Sequence, residues 1–198
     1  MSLSNKARRR IVVASTSENY GKEIADAIDH GKEAIALYHE VVGGSVMSVS
    51  APGQVATPVA YGSTVGNIYT PNQHAGYRVF KISTKYVDSP TIHVHWTKSS
   101  NVNELNKAVK WRVSYTVYNG TSDDVNVTPT VVDIEDVYDD SGTTSRIVHR
   151  TAYTPLVGLV AGYYLSVKVQ AVTPSGTPLS ADPVLISCDL RYNMYINK

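Results

Sequence analysis

The chain has 198 residues, 42% of them apolar, and its 18 basic and 17 acidic side chains leave a net charge of +1. That length holds one good-sized domain, or one domain with an N-terminal appendage, with core enough to fold without staples. Near-neutrality excludes a protein built mainly to coat nucleic acid, and a single cysteine, Cys188, excludes an intramolecular disulfide framework.

The start, MSLSNKARRRIVVASTSENY, sets Lys6, Arg8, Arg9 and Arg10 ahead of a short apolar run from Ile11 to Ala14. That run is far shorter than the apolar stretch of a signal peptide, so the reading expects no secretory signal, no membrane span and synthesis in a reducing cytoplasm. Four cations in five residues can grip phosphate or an acidic protein groove, and a solvated terminus explains them equally. The rest of the chain adds no basic stripe, which ranks nucleic acid behind both.

The stretch SENYGKEIADAIDHGKEAIALYHEVVGG predicts a helix from Ser17 to Val42. Ser17 caps it, Gly43 and Gly44 stop it, and Ile24, Ile28, Ile35, Tyr38 and Val42 form a heptad-like stripe with Gly31 in the gap. That stripe wants a partner, either the chain's own domain or a neighbouring subunit. Residues 43–71 are rich in Gly, Ser, Pro and Val and read as an extended arm, with short pieces able to pair as edge strands. The expected division is residues 1–71 for basic segment, helix and arm, and 72–198 for a β-sandwich domain. On that division residues 1–44 are dispensable for folding.

Beyond Asn72 the period changes to two. The chain holds 14 Tyr and one Phe among many Val and Thr, a composition suited to half-buried strand faces. In VKWRVSYTVY, Val109, Trp111, Val113, Tyr115 and Val117 share one face. In YYLSVKVQAV, Tyr163, Leu165, Val167, Val169 and Ala171 do so. In VLISCDLRYNMY the set is Val184, Ile186, Cys188, Leu190, Tyr192 and Met194. Further strands are expected around 77–82, 92–96, 125–137 and 146–153, with turns at NGTSDD, DDSGTT and TPSGTP. The fold expected is mainly β: an antiparallel β-sandwich or jelly roll carrying the N-terminal α-helix and arm.

TIHVHWTKSS holds the most suggestive chemistry. Ile92, Val94 and Trp96 take the core face, so His93 and His95 project together from a polar strand face. Two histidines do not make a metal centre, which needs a third and usually a fourth ligand. A cupin-type site would follow with a nearby carboxylate, whereas here the first is Glu104, nine residues after His95. The reading therefore assigns no metal and no cofactor, and keeps a cupin-like metal-dependent enzyme as a remote alternative. VVDIEDVYDD supplies Asp133, Glu135, Asp136, Asp139 and Asp140, which can hold calcium or can simply be a solvated face. There is no G-x-S-x-G, Cys188 falls on the core face, and no glycine-rich phosphate loop precedes a helix, so no catalytic residues are assigned and the protein is not expected to be an enzyme.

The order of an Arg-rich start, a GKEIADAI helix, a Gly/Ser/Val arm, then IHVHWTKSS, VKWRVSYTVYNG and a last strand LISCDLRYNMY resembles small virion structural proteins of tailed bacteriophages. The resemblance implies a jelly-roll domain, usually trimeric, acting as a capsid decoration (cement) protein on the virion surface, with the major capsid protein as partner. Lys6, Arg8, Arg9, Arg10, Ile24, Ile28 and Ile35 are then the candidates for capsid contact. The alternative within the same resemblance is a fibre, neck or tail component that binds a host receptor or glycan through Tyr61, Tyr69, Tyr153 and Tyr195.

Overall fold

The computed structural model describes residues 11–13, 34–44, 47–49, 56–124 and 126–196. They form thirteen strands arranged as two sheets packed face to face, an antiparallel β-sandwich of jelly-roll type.

The first sheet is organised around the last strand, β13 (Pro183–Tyr195). Along one edge it pairs with β7 (Tyr86–Lys98). Along the other it pairs with β2 (Ala34–Gly43) from Ser187 to Tyr195, and with β5 (Thr64–Ile68) at Val184 and Leu185. β4 (Thr57–Tyr61) extends the sheet from β5, and β1 (Ile11–Val13) adds to β2 in parallel. Two short strands, β10 (His149–Arg150) and β11 (Thr154–Pro155), cover the outer edge of β7. The second sheet runs β3 (Ser48–Val49), β6 (Ala75–Lys81), β12 (Tyr164–Val172), β8 (Ala108–Tyr118) and β9 (Thr130–Val137).

Alternation places the core largely where the sequence reading puts it. Val109, Trp111, Val113 and Tyr115 of β8, Leu165, Val167, Val169 and Ala171 of β12, and Ile92, Val94 and Trp96 of β7 are all buried between the sheets. A cross-sheet tie completes this layer, as the Trp96 indole donates from Nε1 to Asp136 Oδ2 of β9 at 2.8 Å. A buried indole N–H needs such an acceptor.

Two expectations are corrected. Residues 34–42, assigned to the end of a helix, form β2, while residues 17–33, with Ile24 and Ile28, lie outside the described residues. Ile35, Tyr38 and Val42 fit a helical stripe, yet AIALYHEVV also alternates. Tyr38 and Val42 turn toward the core, where Tyr38 stacks on Tyr192 with ring centroids 4.6 Å apart. A nine-residue ladder to β13, from Ser187↔Gly43 to Tyr195↔Ile35, satisfies the backbone in place of helical hydrogen bonds. Ile35 is 1% exposed, so its side chain is not on the free surface. Residues 1–44 are therefore not dispensable, because they contain a paired strand of the sandwich, and the segment 43–71 likewise supplies β4 and β5.

The second correction concerns β13. Strict alternation groups Val184, Ile186 and Cys188, but Leu185 pairs with Trp96 and Ser187 with the adjacent His95, so Ile186 is an extra residue in a β-bulge. Leu185, Cys188, Leu190 and Tyr192 enter the core; Val184 faces the other way opposite Thr97, and Ile186 is only half-buried.

Trp111→Ala and Leu165→Ala, each removing a fully buried side chain, are expected to cost about 2–5 kcal/mol in denaturant unfolding. Leu185→Ala should fall in the same range and Ile186→Ala clearly below it. Equal losses at 185 and 186 would contradict the bulge.

Candidate functional site

Downstream of the bulge, the face of β13 that turns away from the core carries Ser187, Asp189 and Arg191. Asp189 lies directly across from His93 of β7, and Ser187 across from His95. On the other edge His39 of β2 is opposite Arg191, one diagonal step from Asp189. Three adjacent strands thus bring His39, His93, His95 and Asp189 onto one polar face. His93 and Asp189 are fully buried, and His39 and His95 are about one third exposed at their side chains.

Asp189 is the centre of this cluster. His39 Nε2 and His93 Nε2 each lie 3.0 Å from its Oδ2, and His95 Nδ1 lies 3.5 Å from the same atom. The Ser187 hydroxyl donates to Asp189 Oδ1 at 2.9 Å and, with its own proton committed there, accepts from His95 Nδ1 at 2.8 Å. Burial pushes the carboxyl up, but close contact with His93, His39 and Ser187 outweighs it and holds Asp189 down at about 2. The site therefore presents a fixed negative charge under its imidazoles. Burial likewise lowers His95, more than the attraction of Asp189 raises it. Although His93 Nε2 is near Asp189, the approach is off the line a hydrogen bond needs, and neither ring nitrogen of this buried imidazole has a hydrogen-bond partner. Tyr153 packs edge-on over His93 at 4.6 Å between centroids. Its hydroxyl accepts from Arg150 Nη1 and Arg191 Nη1 at 2.8 and 2.5 Å, and both guanidinium groups stack on its ring.

His93 and His95 do share the polar face that alternation assigns them. The two neighbours that complete the cluster, His39 and Asp189, were missed. His39 was hidden inside a helix reading, and Asp189 is 94 and 96 positions away from the two β7 histidines, joined to them only by strand pairing. The signal that existed was the aspartate in LISCDLRY, an acidic side chain in the middle of a strand with apolar Cys188 and Leu190 on either side.

Other candidates resolve into separate structural roles. Asp133 pairs in two hydrogen bonds of 2.8 Å with Arg112, Glu135 pairs with Lys110 at 3.0 Å and caps the Ser175 and Gly176 amides, Asp136 holds Trp96, and Asp140 accepts from Ser145. These carboxylates diverge to different partners. Cys188 is fully buried, and burial together with the charge of Asp189 pushes its thiol well up, so it is no nucleophile. Of the tyrosines considered for receptor contact, Tyr69 is completely buried, Tyr61 lies against Arg146, and Tyr153 belongs to the histidine cluster. Lys6, Arg8, Arg9 and Arg10 lie outside the described residues.

No protein-family model and no curated protein matches the chain. Among solved structures it is similar to an exo-beta-1,3-galactanase from Phanerochaete chrysosporium crystallised with galactose, at 13% identity over 78% of this chain and 29% of that one, with a TM-score of 0.41. It is also similar to the carbohydrate-binding module CBM36 in complex with calcium and xylotriose, at 11% identity over 76% of this chain and 98% of that one, again with a TM-score of 0.41. The chain thus spans under a third of the galactanase's length.

Glu104, the carboxylate nearest His93 and His95 in the downstream sequence, is not in their cluster. It is fully buried, accepts from Ser100 Oγ at 2.5 Å and the Ser180 amide at 3.1 Å, and pairs with Lys107 at 2.9 Å, fastening two loops together. Burial raises its pKa, but the Ser100, Lys107 and Ser180 contacts bring the net shift below the usual value. A depressed carboxyl contributes stability above its unfolded value that is lost as pH falls through the folded one. Glu104→Gln should therefore lower stability at neutral pH by about 1–3 kcal/mol and flatten the decline below roughly pH 4.5. Unfolding curves between pH 2 and 7 for both proteins measure it, and parallel pH profiles would refute the assignment.

Proposed function

We propose that this protein is a non-catalytic virion structural protein that decorates and stabilises a bacteriophage capsid, working as a homotrimer bound to the major capsid protein. The observation that carries the reading is the amount of apolar surface the closed sandwich leaves outside. The core is sealed between the sheets, yet Val157 is 66% exposed, Val41 54% and Val131 50%. Val127 and Val157 border a hollow of about 220 Å³ with Tyr115, Val117 and Thr130. Single exposed valines such as Val41 are ordinary, but Val127 and Val157 flanking one open hollow offer a surface that a neighbouring subunit can fill.

In this reading the sandwich stands on the shell and the basic start supplies attachment through Lys6, Arg8, Arg9 and Arg10. Three copies at a local threefold position multiply one weak basic contact into a stable one. Because β2 belongs to the sandwich, the attachment test must spare residues 34–43. Replacing Lys6, Arg8, Arg9 and Arg10 by Ser in the full chain should leave the fold intact and reduce binding to purified empty capsids by at least tenfold at physiological salt. Undiminished capsid binding by that variant would remove the basic attachment. If the wild-type protein bound intact host cells and not capsids, the receptor-binding fibre reading would replace decoration.

A further inference from the structure

We infer that His39, His93 and Asp189 form a binding site for a divalent transition-metal ion of the zinc type, with the metal joining β2, β13 and β7 on the outer face of the first sheet. Three features of the cluster converge on this. The donor set is two imidazoles and one carboxylate, a combination suited to zinc and its neighbours rather than to calcium or magnesium, which prefer oxygen alone. The spacing is close to what is needed: donors bonded at about 2.0–2.2 Å to one tetrahedral cation stand roughly 3.3–3.6 Å apart, a few tenths of an ångström more than the contacts here. Here each imidazole Nε2 is 3.0 Å from Asp189 Oδ2, and all three donor atoms lie within 4.8 Å of one another. His39, about one third exposed, has room to swing the remaining distance.

The independent feature is His93. Its side chain is completely buried, both ring nitrogens are without a hydrogen-bond partner, and Nε2 lies 3.0 Å from the carboxylate oxygen that His39 also addresses. An imidazole left in that condition costs desolvation with no return, and a cation between Nε2 and Oδ2 removes the deficit. The surroundings also orient the donors. Ser187 engages Asp189 Oδ1 and leaves Oδ2 for the shared position, and His95, bound through Ser187, steadies the carboxylate from behind. Arg150 and Arg191, the nearby cations, are held against the ring and hydroxyl of Tyr153. Metal entry replaces the direct contact between His39 Nε2 and Asp189, with the neutral imidazole binding the ion through Nε2 and keeping its proton on Nδ1. With its donors on three adjacent strands and Tyr153 packed over His93, the ion acts as a staple across the sheet.

The test uses the untagged full chain, stripped with a chelator and dialysed against zinc, with cobalt(II) as a spectroscopic probe. One equivalent of zinc per chain is expected by elemental analysis and calorimetry, together with visible cobalt absorption that zinc abolishes. At zinc one hundred times above its dissociation constant the folding equilibrium should shift about 100-fold, read as a rise in Tm. His39→Ala, at a partly exposed position where folding is not at stake, should weaken zinc binding at least tenfold, and Asp189→Asn should abolish the cobalt spectrum. Failure of the wild-type chain to retain stoichiometric zinc would overturn the site, as would unchanged affinity in His39→Ala. Because capsid binding is not measured, these outcomes are independent of the decoration role.

Discussion

The bulge at Ile186 is the constraint on which most of this architecture depends. β13 is hydrogen-bonded along both edges, so the orientation of each of its side chains is imposed on three strands at once. One extra residue lets Leu185 and Cys188 both face the core, where unbroken alternation would force one of them out. It also leaves the carboxylate of Asp189 on the outer face, opposite His93. A flat strand with Leu185 in the core would turn that charge inward among the apolar side chains of β7, Ile92 and Val94, and send Leu190 outward.

The polar cluster and the core are thus two sides of one register. On the inner side Tyr38, Tyr86 and Tyr192 pack together, and the Tyr192 hydroxyl accepts from the Ser83 amide at 3.1 Å. On the outer side the same strands set His39, His93 and Asp189 at contact distance. Any slip of β2 against β13 would dismantle both, since a shift of one residue exchanges the faces. This coupling would give a metal at the outer cluster a mechanical meaning, holding β2 in register with the centre of the sheet.

Buried charge elsewhere follows a similar logic. Glu104 and Lys98 are both fully enclosed, and each is satisfied mainly by loop groups: Glu104 by Ser100, Ser180 and Lys107, Lys98 by the carbonyls of Val102 and Gly142. Long loops carry backbone groups that need partners, and a buried charged end supplies several strong hydrogen bonds at once. Both devices sit at the same end of the sandwich, where the loop after β7 meets the segments following β9 and β12.

The strand period of two was written in the sequence from Val109 to Val117 and from Leu165 to Ala171, and it determined the sandwich, its core and the shared face of His93 and His95. These are local properties, since neighbouring side chains on an extended backbone must point to opposite sides. What the sequence left open was decided by pairing between distant segments. AIALYHEVV satisfies a helical and an extended pattern alike, and only the ladder to residues 187–195 selects the strand. The bulge could not be read from VLISCDLRYNMY either, because Val184, Ile186, Cys188 and Leu190 form an unbroken apolar alternation, and only pairing with β7 brings Leu185 into the core in place of Ile186. Asp189 met its histidines for the same reason: contact across a sheet depends on register, and register is fixed by the packing of the whole core.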